Sequence, residues 1–229
     1  MRIWDVNPGY LDRQRLLGEH RELHGLYNVL TLGKKGYARH PETLRWRGCV
    51  AALCMRHAQL VAEMHLRGYR HASSLPVPSG QAIAWPQGWI DPPARQFELL
   101  AGKQAGGNSA RIPLPRNDQQ LWAQHKYSMM AHAPVVSARL GGEVAEGRWR
   151  NDFPSLVERL VRQLQQAPAT GCMHNALLHM WGYVAGDEAQ PADDPALLAS
   201  IQHLAGAQGH AYLLHSTALG ELAAWLSDA

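Results

Sequence analysis

Apolar residues recur at helical spacing along most of this chain, and that pattern limits its fold more than any other feature. In the first such segment the recurring residues are Leu16, Leu23, Leu26, Tyr27 and Leu30. They fall within one narrow arc when the segment is drawn as a helix. Glycine, proline and capping signals predict further helices over 49–67, 93–103, 172–184, 194–205 and 209–227, a short one at Pro41, and others capped by Asn117 and Asp152. The sequence has no alternating strand pattern, so we predict an all-α protein.

A turn-rich stretch separates two helical halves. Residues 73–115 carry repeated proline, glycine and serine signals, which end at Pro113-Leu114-Pro115. With 229 residues in all, each half is long enough to bury a core. We therefore predict an N-terminal helical domain over 1–112, which includes the irregular stretch as its tail, and a C-terminal helical bundle over 113–229.

Charge is unevenly distributed between these halves. The net charge is +3, but residues 1–75 carry 12 Lys/Arg against 6 Asp/Glu, and residues 76–229 carry 10 against 13. A basic N-terminal half suits a nucleic-acid partner.

We find no leader and no long apolar span, and Cys49, Cys54 and Cys172 are scattered. We expect a cytoplasmic protein with free thiols and no membrane partner.

Glu22 is the first candidate for chemistry. It lies on the shoulder of the apolar arc, one turn after Glu19 and one turn before Leu26. A carboxylate at an apolar edge can transfer protons near neutral pH. The same spacing also fits a solvated helix face with ordinary ion pairs, such as Arg15 with Glu19.

Four stretches of the N-terminal half carry a family resemblance: MRIWDVNPGYL, LLGEHRELHGLYNVL, GKKGYARHPETLRW and RHAQLVAEMHLRGY. Over residues 1–72 they resemble the pyrimidine-dimer DNA glycosylase/AP-lyase family of the phage endonuclease V type. The resemblance implies an endonuclease V-like helical domain. It also implies a catalytic α-amine on Met1 and a catalytic acid/base at Glu22. Arg2 and Arg21 match family arginines near the site, whereas a third falls on Gly25.

The implied chemistry is a DNA-repair reaction on damaged double-stranded DNA, with pyrimidine dimers as the lesion. An α-amine is partly uncharged near pH 7, unlike a lysine side chain. It can attack the sugar C1′ and form an imine, after which Glu22 assists β-elimination. No cofactor is required. Because Arg2 is too bulky for the usual removal of the initiator residue, we expect Met1 itself to remain and carry the amine.

A basic loop follows the first predicted helix. It combines Lys34, Lys35 and the aromatic Tyr37 between glycines, and three further cations come soon after, namely Arg39, Arg45 and Arg47. Lysine and arginine bind phosphates, and an aromatic ring can stack on a base. The alternative interpretation is an ordinary surface loop.

Two other functional classes stay open. His20 and His24 lie one helical turn apart, and with His57 they could bind a divalent metal in a metal-dependent hydrolase. We expect no metal, since this spacing is not HExxH. The absence of an arginine at Gly25 favours the remaining alternative, a nucleic-acid binding protein for DNA, RNA or modified bases that retains the fold without the chemistry.

The C-terminal half carries a second resemblance. HKYSMMAH at 125–132 and HNALLHMWGYV at 174–184 resemble the YbgA-like helical domain, a module of uncharacterised function. Its polar residues are candidates for a pocket that takes a second nucleic-acid or small-molecule ligand: Lys126, Tyr127, His132, His174, Asn175, His179 and Tyr183. The alternative is that these side chains hydrogen-bond one another inside the bundle.

Overall fold

The computed structural model describes residues 1–76, 80–104 and 109–226, and its regular secondary structure there is helical. These residues contain no strand, only an isolated bridge between Asp12 and Ala110. The all-α prediction is therefore confirmed. After a 3-10 turn at Pro8–Tyr10, the helices are α1 Arg13–Leu32, α2 Pro41–Arg45, α3 Val50–Leu66, α4 Pro93–Gln104, α5 Asp118–His132, α6 Pro134–Ala145, α7 Phe153–Leu164, α8 Cys172–Trp181, α9 Asp194–Ala207, α10 Ala211–Leu214 and α11 Ala218–Leu226.

Helix α1 has clear signals at both ends. The Asp12 side chain accepts a hydrogen bond from the Arg15 amide at 2.9 Å, which satisfies a free N–H of the first turn. The helix ends at Gly33, whose φ of 63° lies in the left-handed region that glycine adopts without strain. Leu16, Leu23 and Leu26 are fully buried, as the apolar arc predicts.

Helix α3 lies at the centre of the molecule. It packs against α1 on one side and against α11, from the C-terminal half, on the other. Most of its residues are buried, including the charged Arg56 and Glu63. Such a helix brings the two halves of the chain into direct contact.

The buried side chains form two cores. The first includes residues from both sides of position 112, among them Leu53, Ile112 and Leu156. The second belongs to α5, α8, α9 and α11 with their connections. Because the first core crosses position 112, the division into domains 1–112 and 113–229 stays a prediction.

One helix was absent from the sequence prediction, and one predicted helix needs correction. Helix α6 forms although it contains Gly141 and Gly142, which are weak helix formers. Pro134 nevertheless suits the first helical turn. The helix predicted over 209–227, whose last residue lies outside the described residues, is split into α10 and α11. There Thr217 bonds to the Gln124 carbonyl through both its N–H, at 2.9 Å, and its hydroxyl, at 3.0 Å.

No helix in the described part of the chain is both long enough and apolar enough to cross a membrane.

Candidate functional site

The first six residues are fastened to α1 and α3 by a buried ion pair. Arg56 donates from Nε and a terminal nitrogen to the Glu19 carboxylate at 2.8 and 3.0 Å. Glu19 also accepts from the Trp4 amide at 3.2 Å, and Arg56 donates to the Val6 carbonyl at 3.0 Å. Both side chains are almost completely buried. Burial raises the pKa of Glu19, and the charge and hydrogen bonds of Arg56 oppose this rise only in part.

This attachment brings the start of the chain to Glu22. The Arg2 amide donates to one carboxylate oxygen at 2.5 Å, and the Met1 nitrogen lies 3.8 Å from the other. The Met1 side chain is only 9% exposed and packs against the first core, whereas the Glu22 side chain is 42% exposed. The amine is thus held by packing of its own side chain, beside a carboxylate that solvent can reach.

Met1 and Glu22 line a cavity of about 360 Å³ together with Gly25, Lys34 and Tyr37. A second hollow of about 340 Å³ shares Lys34 with it and continues past Lys35 and Arg47. The two hollows adjoin at Lys34, and we call them together the Met1 groove. It runs from the amine and carboxylate to the basic loop after α1.

Most of the predicted nucleic-acid-binding cations are available for a ligand. Within the described residues five of them are exposed and make no ion pair: Arg21, Lys34, Lys35, Arg39 and Arg47. Tyr37 is 71% exposed and lies at φ 59°, in the left-handed region where a bulky residue is strained. An exposed, strained aromatic residue is typical of a functional position.

The other two predicted cations have internal partners. Arg2 pairs with Asp91 at 2.6 Å and stacks over Trp4. Arg45 pairs with Asp5 at 2.9 Å and with Glu42 at 2.5 Å, and its side chain is 8% exposed. Their contribution to DNA binding stays a prediction, while the structure shows them bracing the N-terminal segment.

Four histidines meet on another face of α1. The Nε2 atom of His20 lies 3.1 Å from that of His71 and 3.3 Å from that of His24. His24 Nε2 is in turn 3.2 Å from His57 Nε2. All four candidate ligand atoms lie within 4.8 Å of one another. The sequence indicated His20, His24 and His57 as a metal alternative, and the structure brings them together and adds His71.

The environment of this cluster favours uncharged imidazoles. Burial, and then the neighbouring His24 and His71, lower the pKa of His20 to about 4. Burial and the other three rings lower the pKa of His57 to about 3. A neutral imidazole nitrogen is the form that binds a metal ion.

His57 and His71 also line a separate cavity of about 940 Å³. It lies between α3 and residues of the C-terminal half, including Gln202, His203 and Ala223. The histidine cluster can thus be reached from this side.

The polar residues predicted to form a C-terminal pocket do not converge on one point. Lys126 and Tyr183 both lie against the Tyr127 ring, whereas the two histidines with close polar contacts have separate partners. His132 is buried, contacts the Gln166 carbonyl at 2.6 Å and pairs with Glu221 at 2.7 Å. Burial opposes its protonation, but Glu221 and this carbonyl together raise the pKa of His132. His174 instead contacts Asp194 at 2.6 Å. The remaining candidates differ in exposure: Lys126 is partly buried, Tyr127 is buried, and Asn175, His179 and Tyr183 are exposed.

Sequence reasoning missed two features. His71 follows the end of α3 with no periodic relation to the other histidines, so spacing alone carried no signal. For Glu19 the sequence offered only a surface ion pair with Arg15 as an alternative, whereas the structure pairs it with Arg56, 37 positions away. The apolar run at 51–55, directly before Arg56, was the available clue, since a buried arginine needs a carboxylate.

Comparison with known proteins agrees with both resemblances. Residues 1–76 match the family model for pyrimidine dimer DNA glycosylase. Residues 126–211 match the model for a protein of unknown function (DUF1722). No curated protein and no solved structure matched the chain. The first match supports DNA glycosylase activity, with DNA as substrate, for the N-terminal segment.

Proposed function

We propose that the protein is a DNA glycosylase with AP-lyase activity on pyrimidine dimers in double-stranded DNA. The α-amine of Met1 is the nucleophile, and Glu22 is the general acid and base. The single observation that carries this proposal is the 3.8 Å separation between the Met1 nitrogen and the Glu22 carboxylate at one end of a basic groove.

The groups at this end of the groove suit attack on a sugar. The uncharged amine attacks C1′, the glycosidic bond breaks, and the base leaves with the bonding electrons. Glu22 accepts the proton that the attacking nitrogen loses and delivers it to the ring oxygen as the imine forms. Its carboxylate then removes a C2′ proton, and the electrons expel the 3′ phosphate. Water finally hydrolyses the imine and frees the amine.

The remainder of the Met1 groove suits the DNA. Lys34, Lys35 and Arg47 lie along it with no carboxylate partner among the described residues, so their charges are free to contact phosphates. Tyr37 lines the same cavity as Met1, and its ring can stack there on a base or fill the gap left by an extruded nucleotide. A reaction on a sugar inside a duplex requires such distortion.

Borohydride trapping tests the nucleophile directly. The protein is incubated with duplex DNA that contains one abasic site, the imine is reduced, and the adduct is mapped by peptide mass spectrometry. We expect the DNA remnant on the α-amine of Met1. An adduct on a lysine, or none at all, would contradict the proposal. The intact mass of the same preparation shows which residue bears the terminal amine.

Two variants test the roles. One residue added before Met1 displaces the amine, and Glu22→Gln removes the proton carrier, so each should lower strand cleavage by about 10²–10⁴-fold. Glu98→Gln alters an exposed glutamate of α4 and is the matched control, with cleavage expected to be unchanged. Full activity in the extended protein would refute the mechanism.

A non-catalytic DNA-binding protein is the second candidate. The observation that favours it is the internal pairing of Arg2 and Arg45, together with the missing side chain at Gly25. Salt-dependent binding of dimer-containing duplex, with neither trapping nor cleavage, would select this function.

A further inference from the structure

We propose that His20, His24, His57 and His71 bind one divalent transition-metal ion, with zinc preferred, through their Nε2 atoms. The site would be structural. It would join α1, α3 and the segment after α3 behind the Met1 groove.

Hydrogen bonding alone does not explain this cluster. The three contacts run in a row from His71 to His20, from His20 to His24 and from His24 to His57, each between Nε2 atoms. An imidazole Nε2 has either one N–H or one in-plane lone pair. The two central nitrogens each touch two neighbours, so they cannot satisfy both contacts with good geometry. A shared cation accepts all four lone pairs at once.

The distances suit a tetrahedral ion. Zinc binds imidazole at about 2.0–2.1 Å, which places tetrahedral ligand atoms about 3.3–3.4 Å apart. The three Nε2 contacts are 3.1, 3.3 and 3.2 Å. The widest separation allowed by the cluster is 4.8 Å, so side-chain shifts of at most about 1.4 Å would complete the tetrahedron.

The positions of the imidazole rings also agree with tetrahedral coordination of one ion. Five of the six pairs of rings have centroids between 4.7 and 5.2 Å apart. Imidazoles arranged tetrahedrally around zinc have centroids about 5 Å apart. Their planes are mostly tilted or perpendicular rather than stacked, as ligands that approach one point from four directions should be.

Four protein ligands leave no open coordination position, which is typical of a structural site. Glu22 lies two residues from both His20 and His24, so its side chain points about 160° away from theirs around the helix. The ion would therefore lie behind the helix and take no part in attack on the sugar. Its effect would be to hold the helix that carries Glu22, while the 940 Å³ cavity beside His57 and His71 offers the ion a route in.

Metal analysis of the full-length protein tests the proposal without reference to DNA. The protein is purified without chelator, dialysed against metal-free buffer and measured by plasma mass spectrometry. We expect one zinc per chain. Removal of the ion should lower the melting temperature, and replacement with cobalt should produce the intense visible bands of tetrahedral Co²⁺.

Ligand variants assign the ion to these residues. His24→Gln and His71→Gln should each lower zinc affinity at least tenfold and weaken the cobalt bands. His65→Gln, at an exposed neighbour of His71, is the matched control, and it should keep the wild-type zinc affinity and the cobalt bands. If a ligand variant fails to fold, the wild-type stoichiometry and cobalt spectrum still decide. Wild-type protein that takes up neither ion, or ligand variants that bind as the control does, would overturn the proposal.

Discussion

The buried pair of Glu19 and Arg56 permits a quantitative test of how the N-terminal segment is held. The two side chains make two hydrogen bonds to each other and are 0% and 3% exposed. Removing one partner of such a pair leaves a buried charge without compensation, which costs about 3–5 kcal/mol. A domain is typically stable by about 5–15 kcal/mol, so Glu19→Gln or Arg56→Met alone should lose a large part of the total.

The double variant should behave differently. Without either charge, the main remaining penalty is the Val6 carbonyl that loses its donor, about 1–3 kcal/mol. The raised pKa of Glu19 also indicates that the intact pair contributes little net stability, because desolvation of the carboxylate outweighs the attraction of Arg56. We expect the double variant to be less destabilised than the sum of the single variants by at least about 3 kcal/mol.

Urea unfolding measures these differences. Circular dichroism and tryptophan fluorescence are followed in parallel, and coincident transitions justify a two-state free energy. Glu98→Gln breaks an exposed pair with Arg95 and should change stability by less than about 1 kcal/mol. Strict additivity of the two single variants, or a loss below about 1 kcal/mol in each, would refute the reasoning.

Four further predictions concern the groove and the C-terminal half. Lys34→Ala should weaken DNA binding for all sequences and reduce the slope of log K against log salt by about 0.9, measured by fluorescence anisotropy. Tyr37→Gly should raise the melting temperature, because the left-handed backbone costs a bulky residue about 1–2 kcal/mol, yet lower affinity for the lesion. Gly25→Arg meets no atom within 4 Å of the new Cβ, so it should stabilise α1 by about 0.5–1 kcal/mol and tighten DNA binding. His132 has a raised pKa, so its pairing with Glu221 stabilises the fold below the unfolded pKa of 6.5 and is lost as pH rises through the folded value. The difference in unfolding free energy between wild type and Glu221→Gln should therefore shrink as pH rises, and a constant difference would contradict this.

The helical architecture was readable from local signals. The leucines of α1 recur at helical spacing between an Asp12 cap and a Gly33 stop, and each of these features acts within a few residues of chain. Where a tertiary contact competes with local preference, prediction was wrong. The Thr217 N–H donates to the carbonyl oxygen of Gln124, 93 positions away, and this contact divides the helix predicted there.

The candidate site divides in the same way. The family resemblance indicated Met1 and Glu22 as the catalytic residues, and the residue types alone predicted the basic loop from Lys34. The ion pairs of Arg2 and Arg45 could not be predicted from residue types. Their partners, Asp91 and Asp5, are brought beside them only by the fold.

By itself, the sequence determined that this chain forms helices and that its basic half carries a carboxylate near its start, because periodicity, caps and charge are local properties. Only the tertiary structure decided which charged side chains form ion pairs inside the protein. It alone also showed that His71 completes a cluster with His20, His24 and His57. The physical reason is that ion pairing and metal coordination depend on distances of a few ångströms between residues far apart in the chain, and packing alone sets those distances.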